Sequence, residues 1–301
     1  MENYRKSYKV NDDLTLYGAF WPTLNGRANV LIITGMEEHA LRYTEFALFL
    51  NANGFNVYSL DFYGQGENIV RGISKKGEVP DGAFMRFIDH LGVVAMQIKK
   101  DKLPLYILGH SMGSFMAQHF MQRYPELASK VVIVGSNGPS ILFGLGHLVA
   151  SLTVNKQNRH KESVLLSSLS IGSYAKSIKP ARTQADWLSY NTDNVDMFLK
   201  DPLDGGPSTK GFYRELLHGT SSLYKKANYA RVGRDLPLFI IAGQDDPVGL
   251  KGKGVLKLHN FYKRLGFSHV FTKIYPKMRH EILNETNRKQ VYNDVLAFLN
   301  E

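Results

Sequence analysis

Residues 105–117 read Leu-Tyr-Ile-Leu-Gly-His-Ser-Met-Gly-Ser-Phe-Met-Ala. A short apolar run leads into Gly-x-Ser-x-Gly, and a helix start follows at once. That order puts Ser111 on a tight strand-to-helix turn, where its hydroxyl is presented as a candidate nucleophile. A serine held there at strained backbone angles tolerates no crowding from residues two places away, so Gly109 and Gly113 have a steric reason to be glycine.

The surrounding chain alternates strands and helices. Tyr8 to Trp21 carries Asn11-Asp12-Asp13 between two strand-like stretches and reads as an antiparallel hairpin. Apolar runs follow at Asn29–Thr34, Asn56–Asp61, Leu103–Leu108, Lys130–Gly135, Leu236–Ala242 and Val270–Tyr275. Each is short and nearly unbroken, as strands covered on both faces of a parallel sheet are. Helical patterns at Leu41–Asn53, Phe115–Tyr124 and Val255–Leu265 separate some of them. This is the pattern of an α/β fold with a doubly wound, mostly parallel sheet, whose ligand site lies beyond the carboxyl ends of the strands. Ser111 sits at such an end. The interval 140–213 breaks the rhythm with helical, apolar and basic stretches, so we expect a core of 1–139 and 214–301 with a helical cap inserted between.

A chain of 301 residues with 44% hydrophobic content can bury one large core. Its charged start is not followed by an apolar stretch of signal-peptide length, and no run approaches the about eighteen apolar residues of a membrane span, so a cytoplasmic protein is expected. The absence of cysteine excludes disulfides, thiolate metal sites and a cysteine nucleophile. The net charge of +10 suits an anionic partner, but no nucleic-acid module accompanies it, so nucleic-acid binding is not expected.

A serine nucleophile needs an imidazole to take its proton and a carboxylate to fix the imidazole's tautomer. In the strand-turn-helix arrangement the chain order is Ser, acid, His. Of the histidines beyond Leu236–Ala242, His259 falls inside a helical pattern and His269 precedes the last strand. His280 follows that strand and is the candidate base. The acid should come just after Leu236–Ala242, where Asp245 and Asp246 stand side by side and spacing does not separate them. Oxyanion donors are expected from the backbone N–H of Met112, after the nucleophile, and of Met36, in the loop after an early strand. No cofactor and no metal are required.

These pieces resemble the monoglyceride lipase and lysophospholipase branch of the α/β-hydrolases. The resemblance rests on Gly35-Met36-Glu37-Glu38-His39 with Arg42-Tyr43, on Gly109-His-Ser-Met-Gly113 with Tyr124-Pro125, on Asp186-Trp187-Leu188-Ser189 with Asp201-Pro202-Leu203, and on Met278 to Glu285. It spans nearly the whole chain. It implies an α/β-hydrolase fold, Asp246 as the acid, and Glu38, His39 and Arg42 as substrate-contacting residues. Two departures lie near the site: Thr34 stands where the family has histidine, and Asp61-Phe62-Tyr63-Gly64-Gln65-Gly66 replaces Asp-x-Arg-Gly-His-Gly.

The expected activity is serine ester hydrolysis of a single-acyl lipid, a monoacylglycerol or a lysophospholipid, through an acyl-enzyme. A carboxylesterase, acyltransferase or peptidase with the same triad, or a slow-turnover sensor, is the alternative. From Ser151 to Arg182 six basic residues (Lys156, Arg159, Lys161, Lys176, Lys179, Arg182) face one acid, Glu162. With Ile141, Leu145, Leu148, Val149 and Leu152 on one helical face just before, this suggests peripheral contact with an anionic membrane.

Overall fold

The structure is a computed structural model and describes residues 2–169 and 171–301. Its strands are β1 (Arg5–Lys9), β2 (Thr15–Trp21), β3 (Ala28–Ile33), β4 (Phe55–Leu60), β5 (Leu105–His110), β6 (Lys130–Val134), β7 (Leu238–Gly243) and β8 (Val270–Tyr275). They form one sheet in the order β1-β2-β4-β3-β5-β6-β7-β8. β1 and β2 pair as the expected antiparallel hairpin, β2 joins β4 antiparallel, and all further pairings are parallel.

The helices are α1 (Thr44–Ala52), α2 (Gly66–Val70), α3 (Ala83–Ile98), α4 (Met112–Arg123), α5 (Ile141–Thr153), α6 (Val164–Leu169), α7 (Ile171–Lys176), α8 (Thr192–Lys200), α9 (Lys210–Leu223), α10 (Lys253–Arg264) and α11 (Arg288–Asn300). Because side chains alternate across a strand, neighbouring residues enter different cores. Leu31, Ile33, Ile107, Val131, Ile133, Leu238 and Ile240 meet α3, α4, α9 and α10 on one face. Val30, Ile32, Leu108, Val132, Val134, Phe239 and Ile241 meet α1 and α11 on the other. Both faces are covered, which is why the strands read as unbroken apolar runs.

β5 begins and ends two residues later than the sequence reading, because its pairing continues through Gly109 opposite Ile33 and His110 opposite Val134. The sheet thus carries the chain directly into Ser111. The helix after the serine starts at Met112 rather than Phe115. α3 and α11 had no counterpart in the sequence reading.

Between β6 and β7 the chain builds α5 to α9. A small cluster of Ala185, Trp187, Leu188 and Val195, with Ile171, Tyr174, Phe198 and Val248 packed on it, gives this interval its own apolar centre. Residue 213 falls inside α9, whose Phe212 and Leu223 join the core shared with α3 and α4.

Candidate active site

Ser111 has φ 52° and ψ −120°, outside the regions an L-residue prefers. Its N–H donates to the Val134 carbonyl at 3.0 Å, and its own carbonyl accepts from the Ser114 N–H at 2.9 Å and the Ser114 hydroxyl at 2.5 Å. These bonds hold the strained residue from both sides. A Cβ on Gly109 would strike the Gly113 backbone, and one on Gly113 would strike the Ile33 and Thr34 carbonyls. Both obstacles are main chain and have nowhere to go.

His280 and Asp246 arrive from the loops after β8 and β7. His280 Nδ1 lies 3.0 Å from Asp246 Oδ1, which also accepts from the Val248 N–H at 2.9 Å. Asp246 is fully buried, and its Oδ2 has no hydrogen-bond partner among the described residues. Asp245 turns elsewhere, accepting from the Tyr190 hydroxyl at 3.0 Å. Geometry therefore separates two aspartates that spacing left together. The His280 ring sits between His110 and Trp187, with centroids 4.7 and 5.1 Å away. Ser111 and His280 line one cavity, and no direct hydrogen bond joins them among the described residues. Such bonds commonly tighten only around substrate.

The N–H groups of Met36 and Met112 donate to no protein acceptor among the described residues, so both are free to receive a developing oxyanion. The loop carrying Met36 is tied down on every side. Gln65 Nε2 donates to the Gly35 and Glu38 carbonyls at 2.9 and 2.8 Å, and its Oε1 accepts from the Glu37 N–H at 3.1 Å. Gln65 belongs to one of the two departures from the family pattern, and here it serves as a clamp. Asp61 adds a bond from the Ala40 N–H at 2.7 Å.

Glu38 accepts from the Gly35 N–H, from the Tyr43 hydroxyl at 2.6 Å, and faces His110 Nδ1 at 3.0 Å. Burial would raise its carboxyl, but the charges of His110 and Arg42 and these bonds outweigh that and bring it down to about 2. Burial would likewise lower His110, yet Glu38 raises it above the ordinary histidine value. The pair is a buried ionic link between the loop of Met36 and the residue before Ser111.

The expected substrate contacts divide. Glu38 lines the cavity; His39 and Arg42 do not. His39 Nε2 is 3.1 Å from Asp201 Oδ2, and Arg42 reaches Asp204 at 2.7 Å, Glu281 at 2.6 Å and Asn194 at 3.2 Å. These bonds tie His39 and Arg42 to acids, of which Asp204 and Glu281 are buried, and fasten the segment before α9 to the core. His39, Asp201 and Asp204 also bring ligand-type atoms within 4.8 Å of one another, but the Arg42 guanidinium already supplies the positive charge there. His110, Gln65, Asp204 and Glu281 were not singled out from sequence, although His110 and Glu281 adjoin Ser111 and His280 inside the quoted motifs.

The cavity above Ser111 measures about 510 Å³, within the usual range for ligand sites. Phe115, Ile171, Trp187, Leu188, Leu216 and Val248 make its apolar wall. Glu37, Glu38, Asp204 and Glu281 reach its surface, and no Lys or Arg does among the described residues.

A strained serine on a strand-turn-helix, a His–Asp pair from the loops after the last two strands, and a largely parallel eight-stranded sheet define an α/β-hydrolase. The model of the family described as serine aminopeptidase, S33, matches residues 25–287, and the chain belongs to that family. It is 26% identical over 288 residues to a monoacylglycerol lipase of Mycolicibacterium smegmatis, covering 94% of this chain and 92% of the relative. It is 23% identical to the phospholipase YtpA of Bacillus subtilis, covering 93% and 98%. A thermostable carboxyl esterase from Bacillus coagulans superimposes with a TM-score of 0.88 at 24% identity, covering 98% and 97%, and so shares the fold.

Proposed function

We propose that the chain hydrolyses the ester of a neutral single-chain lipid, a monoacylglycerol, through an acyl-enzyme. Ser111 Oγ attacks the carbonyl carbon and gives its proton to His280 Nε2, while Asp246 holds Nδ1–H and stabilises the imidazolium. The Met36 and Met112 N–H groups receive the oxyanion. Collapse expels the alcohol, which takes the proton from His280. Water, activated by the same histidine, then releases the fatty acid and restores Ser111. Residues 140–213 act as the cap: Ile171, Trp187 and Leu188 supply much of the apolar wall for the acyl chain.

The observation that carries this reading is the cavity's charge. Glu38, Asp204 and Glu281 are already paired with His110 and Arg42, and no Lys or Arg is among the described lining residues, so the cavity offers a phosphate no free cation and favours an uncharged polar head group. The relative named as a monoacylglycerol lipase supports this choice, and the relative named as a phospholipase supports the rival. The test compares kcat/KM for monoacylglycerol and lysophosphatidylcholine of equal acyl chain. The monoacylglycerol should be strongly preferred; a preference for the lysophospholipid would overturn the assignment.

The same reading places the substrate's source at a lipid surface. No helix among the described residues is long and apolar enough to cross a membrane. In α5, however, Ile141, Leu142, Leu145, Leu148, Val149 and Leu152 are all exposed, and so are Val164 and Leu165 of α6. Exposed Lys156 and Lys161 lie between these helices. Arg159 does not belong with them: it is buried, paired with Asp81, and donates to the Val79 carbonyl at 2.8 Å. Arg182 is likewise paired, with Asp196 at 2.6 Å. The proposed contact is apolar insertion of α5 with a small basic fringe.

A further inference from the structure

Glu37 follows Met36 in the loop above Ser111 and lies in the cavity wall. Its φ of 61° is in the left-handed region, which glycine enters freely and a glutamate only at a cost. Its carboxyl is largely enclosed, a second cost that an apolar or absent side chain would avoid. Neither cost is recovered by a salt bridge among the described residues. Lys76, the nearby cation, donates instead to the Pro202 and Asp204 carbonyls, each at 2.8 Å. Glu37 Oε1 accepts from the Ser208 hydroxyl at 2.8 Å, and Oε2 has no partner among the described residues.

The neighbours of Glu37 make one polar stretch of wall. The Gly205 N–H donates to the Glu37 carbonyl at 2.8 Å, so the segment Asp204 to Pro207 lies directly against the Met36 loop. Glu37 and Asp204 to Pro207 line the same cavity as Ser111. Most of the apolar side chains that suit an acyl chain come from elsewhere, from α4, α7, α9 and the cluster around Trp187, while Met36, Phe198, Leu199 and Pro207 border the polar stretch. An ester bound at Ser111 with its acyl chain on that wall has room to direct its alcohol half toward Glu37 in the same cavity.

Resting on the ester-hydrolase reading above, we propose that Glu37 is the specificity residue for the alcohol half: its Oε2 exchanges hydrogen bonds with hydroxyls that a polyol leaving group carries and a simple alkanol lacks. Strain kept at a wall position beside the oxyanion loop is accounted for when the side chain is used there. Burial raises the carboxyl to about 7, so near neutral pH a large share of it is protonated and able to donate as well as accept.

The experiment measures kcat/KM for monolauroylglycerol and methyl laurate, which share an acyl chain, in the parent, Glu37→Met and Glu37→Gln. Both variants keep the length of the side chain and the left-handed backbone, so strain is common to them. In Glu37→Met the glycerol-to-methyl ratio should fall about tenfold, the worth of one lost hydrogen bond, while Glu37→Gln should retain most of it. A ratio that holds within about twofold in Glu37→Met, whether or not both rates drop together, overturns the proposal. So does a ratio in Glu37→Gln as low as in Glu37→Met, because that reports a disturbed loop and not a lost hydrogen bond. A parent that turns over neither ester overturns the ester-hydrolase reading itself.

Discussion

Replacing Asp246 by asparagine probes the His280 partnership most directly, and the surroundings of the carboxylate set the size of the effect. Oδ1 serves two donors, Val248 N–H at 2.9 Å and His280 Nδ1 at 3.0 Å, while buried Oδ2 serves none among the described residues. An asparagine has two ways to sit there. With its oxygen at the Oδ1 position both bonds survive, and the amide NH2 is buried without an acceptor, at a cost of about 1–3 kcal/mol. Turned over, the NH2 faces the Val248 N–H donor to donor and drives the ring proton of His280 onto Nε2, where it blocks uptake of the serine proton. The first orientation is therefore favoured and the tautomer is kept.

What the enzyme then loses is the negative charge beside the imidazolium. At a separation of about 4 Å and an effective dielectric of about 20 that is worth about 4 kcal/mol. At about 1.4 kcal/mol per factor of ten, turnover falls about 10³-fold; the turned-over amide would bring the loss nearer about 10⁴-fold. Asp245→Asn disturbs only the bond to the exposed Tyr190 hydroxyl, worth about 1 kcal/mol or less, so its rate should stay within about fivefold of the parent. The assay is kcat/KM on a short p-nitrophenyl ester, with circular dichroism and thermal melts to certify folding. A folded Asp246→Asn enzyme within about fivefold of the parent, or an Asp245→Asn enzyme as damaged as its neighbour, would refute the reasoning.

Ser111→Ala should abolish nearly all turnover, by about 10⁴- to 10⁶-fold, and adding His280→Ala should cost little more, since residues acting as a unit are not additive; additive losses would put His280 outside the machinery. Replacing Lys156 and Lys161 together by Gln should weaken binding to acidic vesicles in low salt and leave hydrolysis of a short ester unchanged, which a vesicle flotation assay checks. Burial holds the His119 imidazole down to about 4, where its Nε2 donates to the Gly219 carbonyl at 2.9 Å. The folded chain thus binds this proton only at lower pH than the unfolded chain, near 6.5, so the stability it protects is whole above about 6.5 and lost, by up to about 3 kcal/mol, as pH falls through about 4. His119→Gln should flatten that acid limb in urea melts, and an unchanged limb would contradict it.

The parts of the molecule legible in the sequence are those whose requirements are local. Gly109, Ser111 and Gly113 answer a steric demand made within five residues, and the core strands announce themselves because helices cover both faces. His280 could be chosen because only it follows the last strand. Asp245 and Asp246 could not be told apart by spacing, since a turn residue and a triad acid share the same local sequence and only the incoming His280 loop decides between them. Charge fared worst. Arg42 finds Asp204 and Glu281, 162 and 239 residues away along the chain, and Arg159, counted with a basic surface, is buried against Asp81. A run of charges in a sequence counts charges and leaves out the neighbours that neutralise them.

The same reasoning explains why His39 and Arg42, of the signature around residue 35, stand outside the cavity wall that Glu38 reaches. Glu38, His39 and Arg42 are pattern residues with partners inside the protein: His110 and Tyr43, Asp201, Asp204 and Glu281. Such a residue must match several fixed atoms at once, and its job is to hold the Met36 loop and the cap segment in place. Glu37 stands beside them in the loop and is not among the substrate contacts that the resemblance implies. Apart from its main-chain bonds and the Ser208 hydroxyl, its side chain meets the cavity, so its identity is free to follow the ligand. A glutamate there, in a conformation glycine would adopt without strain, is the choice in this loop that internal packing alone does not explain, and it is the position at which the specificity of this enzyme should be sought.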